Sequence, residues 1–185
     1  MNTKPFYCAS AVECPLEEWL QSLRYLKLRL LVDIRSDPED QQYPEFTQPQ
    51  LRLATGNNGM IYHWAGRQLG EKANRESPPA VPGRHKALAD QALQAFADYM
   101  ESNLFRRAVN QLLKLNRQGP MVLLSAGTQS QMNHRILIAD YLILQGCQVF
   151  HVTKDMAPKT HILSPQARRE STDLVYDDCS QSIQK

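Results

Sequence analysis

The sequence predicts a three-layer α/β/α fold on a mainly parallel sheet of about five strands, closed by a C-terminal β-hairpin. Three observations carry this expectation. Residues 28–34 (LRLLVDI) and 120–126 (PMVLLSA) are near-continuous apolar runs, the pattern of strands buried on both faces. Helix-period segments alternate with these runs, which implies βαβ units with right-handed crossovers. The length of 185 residues suits one domain, 1–185, whose core needs no disulfide staples.

Taken in order, residues 5–12 (PFYCASAV) form a short β-prone segment. Pro15 suits the first position of a helix, Glu17 and Glu18 suit its positive end, and Leu16, Trp19, Leu20 and Leu23 recur at i, i+3, i+4 and i+7. The strand at 28–34 comes next, followed by a polar stretch and a short helix over 50–55. Asn57-Asn58-Gly59 is a turn signal leading into a strand at 60–65 (MIYHWA). Residues 66–85 hold three prolines and three glycines without periodicity, which reads as a long loop or lid. A helical region resumes at Lys86, with Leu93, Phe96, Ala97, Met100 and Leu104 on one face and a break near Ser102-Asn103. Gly119-Pro120 ends it before the strand at 120–126. Residues 132–145 are apolar on nearly every side after Ile136, so that helix belongs in the middle of the fold. A strand at 147–152 follows. Segments 160–163 and 173–176 are then read as a terminal hairpin, and 179–185 as a disordered tail.

Charge and composition exclude more than they identify. Twenty-one basic side chains against 19 acidic ones leave +2, which speaks against nucleic acid as a partner. No apolar run approaches the roughly 18–20 residues of a membrane span, and the first residues show no signal-peptide core. A cytoplasmic protein is the expectation. The four cysteines have no metal-ligand or redox spacing, so no metal and no cofactor is expected; Cys8 and Cys147 read as small core residues.

In parallel sheets ligands bind beyond the carboxyl ends of the strands, so the strand ends supply the candidate site. Asp33 and Arg35 point the same way by period-two alternation. Either they form a structural contact, or Asp33 orients Arg35 so that its planar fork meets a phosphate or carboxylate. After the strand at 120–126, Gly127, Thr128, Gln129 and Ser130 lead straight into a helix whose first turn holds Asn133, His134 and Arg135. Free N–H groups and hydroxyls there make an anion site; the plain alternative is an N-cap at Ser130 or Asn133 with two solvated cations. Arg135 opposes the helix dipole and wants an anionic partner, and the same field should lower the His134 pKa. His63 reads as a structural strand residue.

The runs LVDIRSDP, Pro44-x-Phe46, IYHWAGRQLG, FADYMES and MVLLSAGTQSQMNHRILIADYL-x4-CQVFHV, with the tail HILSPQARRESTDLVYD, occur in order over about residues 5–178. In these the chain resembles the family of domains of unknown function numbered 488. The resemblance implies a small α/β fold in a cytoplasmic bacterial protein and names no reaction. It implies that Asp33, Arg35, Tyr62, Leu69-Gly70, His134, Arg135 and His151 are retained. It also implies departures: Ser10-Ala11 replaces Gly-His, Ser125 and Gly127 replace the cysteine and glutamate of Leu-Cys-Ala-Glu, Ser130 replaces a proline, Asn133 a cysteine and Glu71 a glycine. A thiolate nucleophile or metal ligand is thus lost at both cysteine positions, while the anion-holding groups persist.

Two functions follow as expectations. In the first, the protein binds or acts on a phosphate- or carboxylate-bearing small molecule, a nucleotide among the candidates. Its ligand-binding residues are Asp33, Arg35, Tyr62, Ser125, Thr128, Asn133 and Arg135, with Arg35 and Arg135 clamping the anion and His134 as catalytic acid or base. In the second, the protein is a catalytically degenerate, non-enzymatic interaction module of the same fold, with both arginines structural.

Overall fold

In the computed structural model, which describes residues 3–11, 15–39, 44–73, 83–126, 133–152 and 157–177, the apolar runs become the centre of a six-stranded sheet. Strands β1 (Phe6–Ser10), β2 (Leu30–Asp33), β3 (Ile61–Trp64), β4 (Met121–Ser125) and β5 (Val149–Val152) are parallel, and β6 (Pro158–Thr160) joins β5 antiparallel. Their order is β3-β2-β4-β1-β5-β6. Every residue of β2 and β4 is buried, because helices cover both faces of the sheet.

Alternation divides the core in two. Phe6, Cys8, Leu30, Val32, Ile34, Met121, Leu123 and Val149 pack with helices α4 (Gln91–Met100), α5 (Asn103–Asn116) and α6 (His134–Leu144). Ala9, Leu31, Val122, Leu124 and Val152 pack on the other face with α1 (Leu16–Ser22) and α2 (Gln48–Asn57). The break expected at Ser102 is an N-cap: its hydroxyl accepts the Phe105 N–H at 3.2 Å and starts α5. Leu104 lies beyond that break and is exposed, off the face it was expected to share.

The chain end differs from the sequence expectation. Residues 158–160 pair with β5 as the antiparallel edge of the main sheet, giving six strands where about five were expected. The hairpin exists, but β8 (Asp173–Tyr176) pairs with β7 (Ala167–Glu170). Charged Arg168, Arg169 and Glu170 hide β7 from an apolar scan. Leu174 and Tyr176 nevertheless anchor the hairpin in the core against α4 and α6. The segment read as a loop over 66–85 opens with one helical turn, α3 (Gly66–Leu69). Residues 74–82 and 178–185 lie outside the described residues, and with them nine of the twenty residues of the expected lid and all of the expected tail. The helix expected from Lys86 begins at Gln91, because the Asp90 carboxylate caps it through the Ala92 N–H. No helix among the described residues is long and apolar enough to cross a membrane.

Two features aim the fold at one place. β1 and β4 are neighbours, yet the helices that follow them, α1 and α6, lie on opposite faces. A crevice therefore opens at their carboxyl ends, where Ser10 stands opposite Ser125. Beside it, α3 presses against the end of β2: a Cβ on Gly66 would stand 1.8 Å from the Arg35 carbonyl oxygen, and one on Gly70 2.3 Å from Ser36 Oγ.

The glycines therefore separate by position. Gly66→Ala must push α3 off the strand end and lowers stability by about 1–3 kcal/mol. Gly56→Ala meets nothing within 4 Å inside α2 and raises stability by about 0.5–1 kcal/mol. Urea denaturation of the two variants checks both signs.

Candidate functional site

Asp33 ends β2 fully buried, and its carboxylate is saturated. It accepts Arg35 Nε at 2.9 Å, Arg35 Nη2 at 2.6 Å, the Arg35 backbone N–H at 3.1 Å and the Tyr62 hydroxyl at 2.9 Å. Arg35 Nη2 also donates to the Phe46 carbonyl, and the Arg35 carbonyl accepts the Trp64 indole N–H at 3.0 Å. Burial, then the Asp33 carboxylate, holds the Tyr62 phenol well above its ordinary pKa. The Nε/Nη2 edge of Arg35, the edge best shaped for a carboxylate or phosphate, is thus occupied by Asp33. The group sits on the α1/α2 face, as Asp33 shares the parity of Leu31.

Arg135 sits on the other face, at the β1/β4 crevice. Its backbone N–H donates at 3.0 Å to Asn133 Oδ1, the N-cap of α6. Its side chain is 0% exposed. Nη1 donates to the Ser10 hydroxyl and, at 2.9 Å, to the Ser125 hydroxyl. Among the described residues, Nε and Nη2 are buried with no hydrogen-bond partner. No carboxylate among the described residues pairs with this guanidinium. Cys8 interacts with it electrostatically, but burial pushes that thiol up to about 11, so it is neutral and supplies no counter-charge. Burial in turn pulls the Arg135 pKa below its ordinary value. Arg135 leaves open the edge that Arg35 fills with Asp33.

His134, the first residue of α6, is buried edge-on to Phe96 at 5.5 Å between ring centres. The Ile34 carbonyl bonds its ring, while Nε2 has no hydrogen-bond partner and lies 3.9 Å from a Glu71 carboxylate oxygen. Its pKa falls to about 4, through burial first and the Arg135 cation as well, against the pull of Glu71. The direction expected from the sequence holds, but the main cause is burial, not the helix dipole.

A third cluster adjoins α6. Asp140, fully buried in the middle of that helix, accepts the Ser164 N–H at 2.9 Å and the Tyr176 hydroxyl at 3.0 Å and lies 2.8 Å from His161 Nε2. His161 Nδ1 lies 2.8 Å from His151 Nε2.

The structure therefore brings Asp33, Arg35 and Tyr62 together on one face, and Ser125, Asn133, His134 and Arg135 on the other. Arg35 and Arg135 do not share a site. Thr128 and the rest of the 127–132 segment, Ser130 included, lie outside the described residues. Sequence reasoning named Ser10 and Glu71 only as departures, gave His151 no role, and passed over Asp140 and His161. Asp140 had a signal, since it is the sole charge in ILIADYLIL, and an acid in an all-round apolar helix needs buried partners. Among the described residues no three His, Cys, Asp or Glu side chains are grouped to hold a metal ion. The open cleft between α1 and α2 is lined by Leu16, Glu17, Glu45 and Leu53 with no cation, so it does not suit an anion.

Asp33→Asn leaves the buried Arg35 charge without its partner and lowers stability by about 3–5 kcal/mol, whereas Tyr62→Phe costs about 1 kcal/mol. Denaturant midpoints of both variants test this ranking. Acid acts through buried histidines: His85, His134 and His151 each have a pKa near 4, with burial the leading cause. Above pH 6.5 they are neutral in both states. Below it the unfolded chain takes up protons first, so stability falls between pH 6.5 and 4. Asp98 and Glu101, raised by burial, act in the opposite sense near the acid end. Urea midpoints across this range fall less steeply in His134→Gln than in the parent, which isolates the histidine contribution.

Compared with known proteins, residues 15–142 match the family model described as domain of unknown function DUF488. Neither curated proteins nor solved structures yield a match.

Proposed function

Since the chain belongs to the DUF488 family, whose description assigns no reaction, function has to be argued from the site, and we propose that Arg135 binds the phosphate or carboxylate group of a small molecule. One observation carries the reading: a fully buried guanidinium whose Nε/Nη2 edge has no partner among the described residues. An isolated buried charge costs several kcal/mol, and two oxygens of one anion fit that edge as a bidentate pair. Ser10 and Ser125 hold Nη1 and fix the plane of the fork. The start of α6 adds the favourable end of its dipole. Neutral His134, beside Glu71, is one nearby group able to take or give a proton. Arg35 plays its part indirectly, by tying β2 to the turn at Phe46.

The non-enzymatic reading has its own feature, the open edge of the sheet at β3, where Ile61 and Trp64 are 48% and 36% exposed. It expects no response to anions. A thermal-shift panel of phosphate, sulfate, nucleotides, phosphorylated metabolites and small carboxylates, with chloride at equal ionic strength as control, separates the two. At least one of these anions raises the melting temperature, and Arg135→Gln removes the rise. No anion-specific rise, or one unchanged in Arg135→Gln, overturns the reading.

A further inference from the structure

The Asp140–His161–His151 chain is built with care, and holding an anion does not require it. Its proton positions follow from its partners. The Asp140 carboxylate accepts from the Ser164 N–H and the Tyr176 hydroxyl; as an ionised group it can only accept. The proton between it and His161 therefore sits on His161 Nε2. With its one ring proton placed there, His161 offers a lone pair at Nδ1, and the proton shared with His151 sits on His151 Nε2. What remains is the lone pair on His151 Nδ1, at the end of an oriented acceptor chain.

That chain ends on the sheet face that carries Arg135. His151 is in register with Cys8 across β5 and β1, so both share the sheet face that α6 covers. A charge on either His151 or Cys8 would feel the Arg135 cation. The groups around His151 are Cys8 from β1, Arg135 and Asp140 from α6, Lys159 opposite it on β6, and His161 beyond that strand. Tyr176 of β8 acts through Asp140.

We propose that His151 is the proton acceptor of the Arg135 site, with Asp140 and His161 as positioning residues, so that an anion seated on Arg135 brings a proton onto His151 Nδ1. This rests on the anion reading above and narrows the ligand to an anionic group with an acidic proton or hydroxyl next to it. For such a ligand the proton comes from that hydroxyl; for a fully ionised probe it comes from solvent. The imidazolium keeps its Nε2 proton on His161, and Asp140 stabilises the new charge through that ring. Burial first, then His161 and the Arg135 cation, hold the His151 pKa near 4. An anion on Arg135 cancels the last of these, so the two binding events favour each other.

Sulfate is the probe. Calorimetric titration at pH 5 in two buffers of different ionisation enthalpy should show uptake on the order of 0.2–0.5 proton per sulfate. Affinity should tighten from pH 7.5 to 5. His151→Gln should abolish the uptake and flatten that pH dependence. Nitrogen-15 spectra of the parent should place the proton of both His151 and His161 on Nε2. Sulfate that binds without proton uptake, or a His151 protonated at Nδ1, overturns the relay and leaves the anion reading standing. If sulfate does not bind, the anion reading fails, and the coupling is judged on Arg135→Gln alone. A His151 titration midpoint above the parent's sustains it, and an unmoved midpoint overturns it.

Discussion

A positive charge buried without a negative one is the constraint around which this fold is arranged. Arg135 lies at the carboxyl ends of β1 and β4, and three titratable groups whose charge would interact with it are held neutral: Cys8 as a thiol, His134 and His151 as free imidazoles. Two serine hydroxyls satisfy one nitrogen and leave the adjacent edge unmet. The contrast with Arg35 is internal to the molecule. Both arginines follow strand ends and both are buried, but Arg35 has a bidentate carboxylate two residues away and Arg135 has none among the described residues. The same side chain is a structural tie in one place and an unfilled socket in the other.

The topology explains why the socket falls where it does. Parallel strands send their following helices over one face or the other, and α1 and α6 diverge from neighbouring strands. The gap left between them lies at the start of α6, so its dipole and its first side chains point at the gap. α3 pins the neighbouring β2 end through Gly66 and Gly70. The positions at which the chain departs from the residues implied by its resemblance gather here as well. Ser10 and Ser125 hold Nη1, Asn133 caps the helix at Arg135, and Glu71 stands near His134. Two serines, an asparagine and one glutamate thus gather around the cation at this sheet end.

Much of this was legible in the sequence. The runs at 28–34 and 120–126 gave the central strands, the all-round apolar helix gave α6 its central place, and a spacing of two put Arg35 on Asp33. Three things were not. Strands of opposite facing look alike in sequence, so Arg35 and Arg135 were expected in one clamp although the sheet separates them. β6 and β7 carry proline, lysine, arginine and glutamate, since edge strands and hairpin faces meet water. The His151–His161–Asp140 chain joins residues from β5, the segment after β6 and α6, and only the folded register of β6 on β5 brings them together.

The central claim is that Arg135 is kept for a ligand at the expense of stability, and its sign can be measured without knowing the ligand. Arg135→Met replaces an uncompensated buried charge with an apolar chain of similar length, leaving Ser10 and Ser125 to bond each other or solvent. Urea denaturation in chloride buffer free of phosphate, sulfate and carboxylates compares the two proteins with the site empty. The account predicts that Arg135→Met is the more stable of the pair. A variant less stable by several kcal/mol would contradict it, because Arg135 would then be holding the fold together.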